Sequence, residues 1–290
     1  MVKYINLIRV KHWLKNGLIF LPLFFSLSLF KWGLLLNCVV AFICFSLSAS
    51  VVYVINDIND VEKDRQHPVK KNRPLASGAI SIKMGYVTIV ILALLIIASS
   101  IYLFFLNHNW FVFVIPVIYI ILNILYSCGL KNVPIIDVVI LVSGFVLRVM
   151  YGGVVLDVTV SKFLYLMIIF GAFFLGFGKR RNEIIKNGKK SRSVLALYNK
   201  DFLDKNMYTS LVLSIVSYTL WCVDASTIER IGHDYLFWTV PIIVIIFLLY
   251  SLDIEGDSHG DPIEVLLSNK ILLVVVFIYI FSLFGLLYLI

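Results

Sequence analysis

Three aspartates, Asp57, Asp60 and Asp64, directly follow an apolar stretch of membrane-spanning length. Their i, i+3, i+7 spacing places the three carboxylates on one face of a helix. Such a row of like charges repels itself unless a divalent cation neutralises it, and oxygen ligands that leave room for substrate phosphates suit Mg²⁺. We therefore expect Mg²⁺ at these aspartates, with Asn56 as a helix cap or a further carbonyl ligand. An ordinary solvated acidic loop is the alternative.

A basic run follows the aspartates in the same segment. Its cationic candidates are Arg65, His67, Lys70, Lys71 and Arg73. Lysine and arginine side chains, arginine above all, bind phosphate oxygens through charge-assisted hydrogen bonds. An acidic metal-binding face followed by a basic phosphate-binding face indicates an enzyme that acts on a phosphorylated or diphosphorylated donor.

Two ionisable residues lie inside one apolar segment, Asp137 about one turn from its start and Arg148 eleven residues further on. Ionised groups are costly in lipid, so such residues face the bundle interior and indicate function. Eleven residues are close to three helical turns, and we expect both side chains on the face that lines a central cavity. Arg148 then needs a carboxylate or a substrate phosphate as partner. For Asp137, a structural ion pair with Lys131 is the alternative.

The remaining candidates lie at the ends of apolar segments: Lys15, Tyr126, Lys131, Lys179, Arg180, Arg181 and Glu183. Positive residues also anchor helix ends at the membrane interface, so anchoring is the alternative to ligand binding for Lys15 and for the three adjacent cations. If they serve a site, Lys15 would lie near a lipid phosphate. The three cations with Glu183 would suit a pyrophosphate with its metal or ribose.

The composition places all of these residues in a membrane protein. Apolar residues make up 61% of the chain and charged residues 14%, which excludes a soluble globular protein. We predict an all-α integral membrane fold of nine transmembrane helices, in one catalytic domain over residues 1–290. The cytoplasmic loops 56–82 and 179–208 would cap its active site. The nine apolar segments are residues 14–30, 34–55, 83–106, 110–127, 133–156, 161–178, 209–223, 235–252 and 270–290.

The distribution of positive charge predicts the orientation. Most of the 25 lysines and arginines lie in the N-terminal segment and in alternate loops, the exceptions being Lys31, Arg148, Lys162 and Arg230. By the positive-inside rule, the N-terminus and both long loops are cytoplasmic. This bias accounts for most of the net charge of +8, and anionic lipid headgroups and phosphorylated substrates are sufficient binding partners for it. We therefore expect no nucleic-acid partner.

Several motifs resemble a known family. The N-D-x-x-D-x-x-x-D pattern at 56–64 is similar to that of the UbiA superfamily of intramembrane prenyltransferases. The continuation D-R-x-H-P-x-K-x-x-R-P-L-A-S-G at 64–78 resembles the branch that contains decaprenyl-phosphate phosphoribosyltransferase. The segments at 11–16, 126–131, 144–148, 179–183 and 261–268 are also similar to that branch.

This resemblance implies nine transmembrane helices around a central cavity in the plasma membrane, with the active site facing the cytoplasm. It implies Mg²⁺-dependent transfer of a phosphoribosyl group from 5-phosphoribosyl diphosphate (PRPP) to a polyprenyl phosphate of decaprenyl type. A homo-oligomer is possible.

The resemblance also implies a role for each candidate. Asp57, Asp60 and Asp64 would hold Mg²⁺ against the donor diphosphate. The groups that stabilise the leaving diphosphate and the 5-phosphate would be drawn from Arg65, Lys70, Arg73, Lys179 and Arg180. Lys15, Lys131 and Arg148 would position the lipid phosphate, with Tyr126, Asp137 and Glu183 as further substrate-binding residues.

Three other functions are weighed against this one. An aromatic or lipid prenyltransferase of the same family usually carries a second aspartate-rich row after the sixth segment, where this chain has Lys179, Arg180 and Arg181. A transporter could use Asp137 and Arg148 as a midplane pair, but charge here is concentrated at the cytoplasmic side. A non-catalytic assembly factor leaves the ordered acidic and basic faces unexplained.

Substituting Asp60 by asparagine tests the aspartate row. If Asp60 is a metal ligand, Asp60→Asn abolishes Mg²⁺-dependent turnover while the protein stays folded in detergent. The measurement is product formation by the purified variant, with its elution in size-exclusion chromatography as the folding control. Retained activity would remove Asp60 from the metal site.

Overall fold

The computed structural model describes residues 2–188, 193–256 and 262–290, and all regular structure in these ranges is helical. The α-helices are α1 (Val2–Leu7), α2 (Leu21–Phe25), α3 (Trp32–Asn59), α4 (Val61–Gln66), α5 (Ile82–Asn107), α6 (Phe111–Cys128), α7 (Ile136–Leu156), α8 (Lys162–Asn187), α9 (Ser193–Leu197), α10 (Lys200–Val223), α11 (Ala225–Ile231), α12 (Val240–Glu255), α13 (Pro262–Ser268) and α14 (Lys270–Tyr288). Short 3₁₀ helices lie at Val10–Phe20, Lys70–Asn72, Leu130–Asn132 and Tyr235–Thr239. Residues 189–192 of the predicted loop 179–208 and Asp261 of the motif at 261–268 lie outside the described residues.

Eight helical segments in these ranges are long and apolar enough to cross a membrane. They are Trp32–Asn59, Ile82–Asn107, Phe111–Cys128, Ile136–Leu156, Lys162–Lys186, Lys200–Val223, Tyr235–Glu255 and Lys270–Tyr288. A helix satisfies its backbone hydrogen bonds internally, which hydrocarbon requires of any spanning segment. The prediction of an all-α integral membrane protein is confirmed, and eight of the nine predicted segments correspond to these helices.

The first predicted segment, residues 14–30, differs from the others. The chain forms the 3₁₀ helix Val10–Phe20, continues into the short helix α2 and turns at Leu27, whose φ is 57°. Pro22 at the start of α2 has no N–H, so it cannot donate the hydrogen bond that would continue a helix from the preceding turn. A continuous ninth α-helix is therefore not confirmed.

The contacts between residues group the chain into two compact units. The first comprises Met1–Gly129 and Leu147–Thr159, and the second comprises Leu130–Val146 and Val160–Ile290. Helix α7 contributes its beginning to the second unit and its remainder to the first. The single domain over residues 1–290, with loops 56–82 and 179–208 capping an active site, stays a prediction.

In the first unit, α3 packs against α5, α6 and the 3₁₀ helix Val10–Phe20. Its buried face carries Ser46, Ser48 and Ser50, which let neighbouring backbones approach closely. The hydroxyl of Ser48 donates to the carbonyl of Cys44 over 2.9 Å, and the single hydroxyl proton of Ser50 is shared between the carbonyls of Ser46 and Ile8, each 2.8 Å away. Small side chains thus let the 3₁₀ segment lie close to α3, near the aspartates at its end.

In the second unit, α8 packs along α10. The hydroxyl of Ser214 on α10 donates to the carbonyl of Met167 on α8 over 3.0 Å. A Cβ built on Gly176 of α8 would lie 2.7 Å from a methyl group of Val138 on α7. Glycine is required there because α7 passes too close for any side chain, and this approach places the beginning of α7 against α8.

Gly152 provides a test of the close packing in the first unit. A Cβ on Gly152 would lie 2.1 Å from the backbone oxygen of Ile19. We expect Gly152→Ala to cost about 1–3 kcal/mol and to lower the melting temperature of the detergent-purified protein by several degrees, because backbone must move. Gly33→Ala is the matched control, since nothing lies within 4 Å of its added Cβ. Equal melting temperatures for the two variants would contradict the close approach.

Candidate active site

The three aspartates lie at the junction of α3 and α4. Asp57 belongs to α3 and Asp64 to α4, while Asp60 between them has φ −98° and ψ 7°. The N–H of Asp60 donates to Asn56 and that of Asp64 donates to Asp60, so the helical spacing is nearly kept across the bend. Asp57 and Asp64 are buried, at 2% and 3% exposure, whereas the Asp60 side chain is 42% exposed. The predicted single helical face is therefore interrupted at Asp60.

Arg73 joins the two buried aspartates. Its Nη1 atom donates to Asp57 Oδ1 over 3.1 Å and to Asp64 Oδ2 over 2.6 Å. Arg73 precedes Pro74, and its extended conformation, with φ −62° and ψ 145°, is the one that a following proline favours. The loop after α4 thus returns a cation to the carboxylates that precede it, and one of its nitrogens contacts both of them.

Arg9 is a second cation at this cluster, and the sequence analysis did not single it out. Its Nη2 atom lies 2.5 Å from Asp57 Oδ1, and its guanidinium carbon lies 4.7 Å from the ring centre of Tyr53, one turn earlier on α3. The backbone of Arg9 is left-handed, with φ 52° and ψ 52°, which costs a non-glycine residue about 1 kcal/mol. Only its place in a basic N-terminal segment could have drawn attention to it.

The donor set at the aspartates fits Mg²⁺. In the part of the chain that the structure describes, no three His, Cys, Asp or Glu side chains form a metal-binding group. Asp57 and Asp64 both contact Nη1 of Arg73, whereas Oδ1 of Asp60 lies 4.0 Å from Nζ of Lys63. Mg²⁺ is commonly bound by one or two carboxylates together with substrate phosphates and water. Two of the three predicted ligands are thus adjacent, and the metal site at Asp57, Asp60 and Asp64 stays a prediction.

The other predicted residues near this end of the first unit differ in their contacts and exposure. Arg65 donates to Glu62 over 2.8 Å and to the carbonyl of Ala76 over 3.3 Å. Lys70 is exposed, and Asn56 and Lys15 are half-buried. The exposed side chains of Arg65, at the end of α4, and of Lys70, on the loop that follows, are accessible to a phosphorylated ligand.

Arg148 lies deep in the first unit among polar and aromatic groups. Its Nε atom donates to Asn16 Oδ1 over 2.8 Å, and Asn16 in turn donates to Ser46 over 2.8 Å. The guanidinium carbon lies 5.1 Å from the ring centre of Phe45 and 5.2 Å from that of Tyr119, within the range of cation–π attraction. These contacts are with an amide, two rings and the hydroxyl of Tyr119, to which Arg148 Nη2 donates over 3.4 Å. The predicted carboxylate or phosphate partner stays a prediction.

A separate cluster in the second unit surrounds Asp137, which is fully buried. Arg180 donates through Nε to Asp137 Oδ2 over 2.6 Å and through Nη1 to Glu183 over 3.1 Å. Three predicted residues are thus brought together. The ion pair of Asp137 is with Arg180, and Lys131, the partner that the sequence suggested, is exposed.

Tyr198 completes this cluster and was missed by the sequence analysis, since nothing local relates it to residues more than sixty positions earlier. Its hydroxyl donates to Asp137 Oδ1 over 2.6 Å and accepts the N–H of Ile135 over 2.6 Å. Burial, together with the hydrogen bond to Asp137, raises the pKa of Tyr198 above its ordinary value. The hydroxyl therefore stays protonated and keeps donating to the carboxylate.

The basic triplet after the sixth predicted segment is largely engaged in ion pairs. Arg180 binds Asp137, and Arg181 lies 2.5 Å from Asp204 and also donates to the carbonyl of Ile254. Lys179 and Tyr126 are half-buried. Removing the carboxylate from a buried arginine–carboxylate pair leaves an unpaired charge and is strongly destabilising, so the second unit depends on Asp137 and Asp204 as the partners of Arg180 and Arg181.

The sequence of this chain is similar to those of known proteins. The family model described as the UbiA prenyltransferase family matches residues 18–271. The decaprenyl-phosphate phosphoribosyltransferase of Corynebacterium glutamicum is 34% identical over 284 residues, which cover 96% of this chain and 84% of that protein. The enzyme of the same name from Mycolicibacterium smegmatis is 34% identical over 242 residues, covering 80% of this chain and 74% of that protein.

A solved structure shows the same fold. The structure of a UbiA homologue from Archaeoglobus fulgidus bound to GPP and Mg²⁺ matches with a TM-score of 0.70 and 20% identity, covering 98% of this chain and 99% of that one.

Tyr198→Phe tests the Asp137 cluster. Removing the hydroxyl leaves the N–H of Ile135 and a buried oxygen of Asp137 short of a partner, and we expect a loss of about 1–3 kcal/mol and a lower melting temperature near neutral pH. The folded-state pKa of Tyr198 lies above the ordinary 10.0, so the contribution is complete below pH 10 and is lost as pH rises through the folded value.

Tyr208→Phe is the matched control for this variant, because it removes an exposed hydrogen bond, from Tyr208 to Glu255, in the same unit. Thermal unfolding of both variants should show the larger loss for Tyr198→Phe. The reverse order would mean that the buried hydroxyl contributes little.

Proposed function

Because the chain belongs to the UbiA prenyltransferase family, we propose that it transfers the 5-phosphoribosyl group of PRPP to a polyprenyl phosphate of decaprenyl type and releases diphosphate. The observation that carries this proposal is the similarity, 34% identity over 96% of the chain, to an enzyme named for phosphoribosyl transfer to decaprenyl phosphate. The chain is thus a polyprenyl-phosphate phosphoribosyltransferase within a family whose name refers to prenyl transfer.

We assign the donor end of the site to the α3–α4 junction. Asp57 and Asp64 would hold Mg²⁺, with Asp60 as a third ligand directly or through water. The bound metal would neutralise charge on the diphosphate as it leaves. The buried carboxylate pair supports this assignment, as does the Mg²⁺ in the related archaeal structure, which is a property of that protein.

The cationic side chains would stabilise the negative charge that develops on the diphosphate. Cleavage of the anomeric C–O bond builds oxocarbenium character on the ribose and negative charge on the diphosphate. Fixed cations aimed at that developing charge lower the barrier. We assign this role to Arg65 at the end of α4, to Lys70 and Arg73 on the loop that follows it, and to Lys179. Arg180, with Asp137 and Glu183, would bind the 5-phosphate side of the donor or orient the groups that do.

The lipid phosphate is the nucleophile in this proposal. It is already an anion, so it needs no strong base to attack the anomeric carbon. Lys15, Lys131 and Arg148 would position it for in-line displacement with inversion, and Tyr126 would contribute a hydroxyl. The stacking of Arg148 against Phe45 and Tyr119 supports a fixed direction for its guanidinium.

The finer topology is part of the same proposal. We infer nine crossings of the plasma membrane from the nine apolar segments. The positive-inside distribution supports a cytoplasmic N-terminus and a site that faces the cytoplasm. A 3₁₀ helix rises about 2.0 Å per residue, so the segment Val10–Phe20 with α2 extends about 30 Å, near the thickness of the hydrocarbon core. The first predicted segment can therefore serve as the ninth crossing without being a continuous α-helix. A homo-oligomer stays a prediction.

A membrane assay tests the function directly. Membranes that contain the protein are incubated with PRPP, a polyprenyl phosphate and Mg²⁺, and the lipid extract is analysed by mass spectrometry. We expect a lipid that has gained one phosphoribosyl group, absent with EDTA and absent in Asp57→Asn. No such product across several lipid lengths would contradict the proposal and favour isoprenyl transfer, which the same assay with isoprenyl diphosphates would then detect.

A further inference from the structure

Arg9 contacts the cluster that we assign to the metal, yet the proposed reaction gives it no role. It and Arg73 both donate to the same oxygen, Oδ1 of Asp57, at 2.5 and 3.1 Å, and Arg73 also binds Asp64. Two guanidinium groups thus balance two carboxylates. A divalent cation that binds Asp57 must compete with both arginines for one oxygen, and when it succeeds, the arginines lose their carboxylate partner.

The N-terminal segment is fixed beside α3 independently of the ion pair. Ser50 donates to the carbonyl of Ile8 over 2.8 Å, and the indole N–H of Trp13 donates to Ser50 over 3.1 Å. The side chain of Leu7 is fully buried. These contacts flank Arg9 on both sides, so the backbone stays beside α3 when its guanidinium leaves Asp57.

The side chain of Arg9 is placed so that it can exchange partners. It is 22% exposed, whereas Asp57 is 2% exposed, so its guanidinium lies between the buried carboxylate and solvent. The ring of Tyr53 lies 4.7 Å from it and attracts a cation whichever anion it binds. A guanidinium binds two phosphate oxygens as readily as it binds a carboxylate.

From these contacts we propose that Arg9 is a metal-gated diphosphate-binding residue. It pairs with Asp57 until a divalent cation takes that carboxylate, and it then donates its hydrogen bonds to the diphosphate of the donor. This inference rests on the proposed function, because it assumes a metal and a diphosphate at Asp57. Its consequence is positive coupling, since diphosphate gains the arginine that the metal releases.

The test uses binding of Mn²⁺ and of inorganic diphosphate to the full-length protein in detergent. Free Mn²⁺ is followed by electron paramagnetic resonance, and diphosphate binding at saturating Mn²⁺ is followed by calorimetry. We expect Arg9→Gln to bind Mn²⁺ alone about fivefold more tightly, because a competing cation is gone, and diphosphate about tenfold more weakly, because a charged donor is gone. Opposite shifts are not expected of a residue that only supports the fold.

Two further variants serve as controls. Lys11→Gln removes the same charge from an exposed position two residues away, and we expect both affinities to stay within about twofold of the wild type. Arg9→Lys keeps the charge, and it should restore part of the diphosphate affinity that Arg9→Gln loses. This rescue distinguishes loss of the cation from local misfolding.

The outcomes separate this inference from the function on which it rests. If Arg9→Gln weakens both affinities, or behaves like Lys11→Gln, Arg9 is not a diphosphate-binding residue. If the wild-type protein binds no diphosphate with Mn²⁺, the donor site is wrong and the inference falls with it. If Arg9→Gln shifts the Mn²⁺ and diphosphate affinities in opposite directions but the wild-type protein makes no phosphoribosyl lipid, the role of Arg9 is upheld and the proposed acceptor is overturned.

Discussion

The pairing of buried carboxylates with arginines is the interaction on which the rest of the structure depends. A carboxylate withdrawn from water and left unpaired costs several kcal/mol, so its partner must be supplied by the fold. Asp57 and Asp64 receive Arg73 and Arg9, and Asp137 receives Arg180. These pairs allow buried aspartates to stay ionised in a chain of which 61% is apolar.

In the described residues, the cluster at Asp57 and Asp64 lies in the first unit and the cluster at Asp137 in the second, and the two differ in kind. In the first unit the arginines that pair with the aspartates are partly exposed. Arg73 lies on a loop and Arg9 on the N-terminal segment, so either side chain can exchange its carboxylate for another anion. In the second unit Asp137 and Arg180 are fully buried, and Tyr198 satisfies the remaining oxygen. The first arrangement suits a site that takes up a metal and a phosphorylated ligand, and the second suits a fixed support.

Small side chains make both arrangements possible. Association of helices in lipid depends on close packing, since apolar side chains gain nothing by leaving hydrocarbon. The serines of α3 let the 3₁₀ segment approach, and Gly152 admits the backbone of Ile19. Gly176 likewise admits Val138, which places the beginning of α7, with Asp137, against the helix that carries Arg180.

Much of this protein could be predicted from its sequence. The helical membrane fold and eight of the nine predicted spans follow from apolar length, because a spanning helix satisfies its backbone hydrogen bonds by itself. The sequence also placed Asp57, Asp60, Asp64 and Arg73 in one segment as candidate metal-binding and phosphate-binding residues. It did not predict the ion pairs of Arg73 with two of these aspartates. Arg9 and Tyr198 could not be found in this way, since each meets its aspartate across dozens of residues. Only the tertiary structure decides which arginine neutralises which carboxylate, because that choice depends on distance in space.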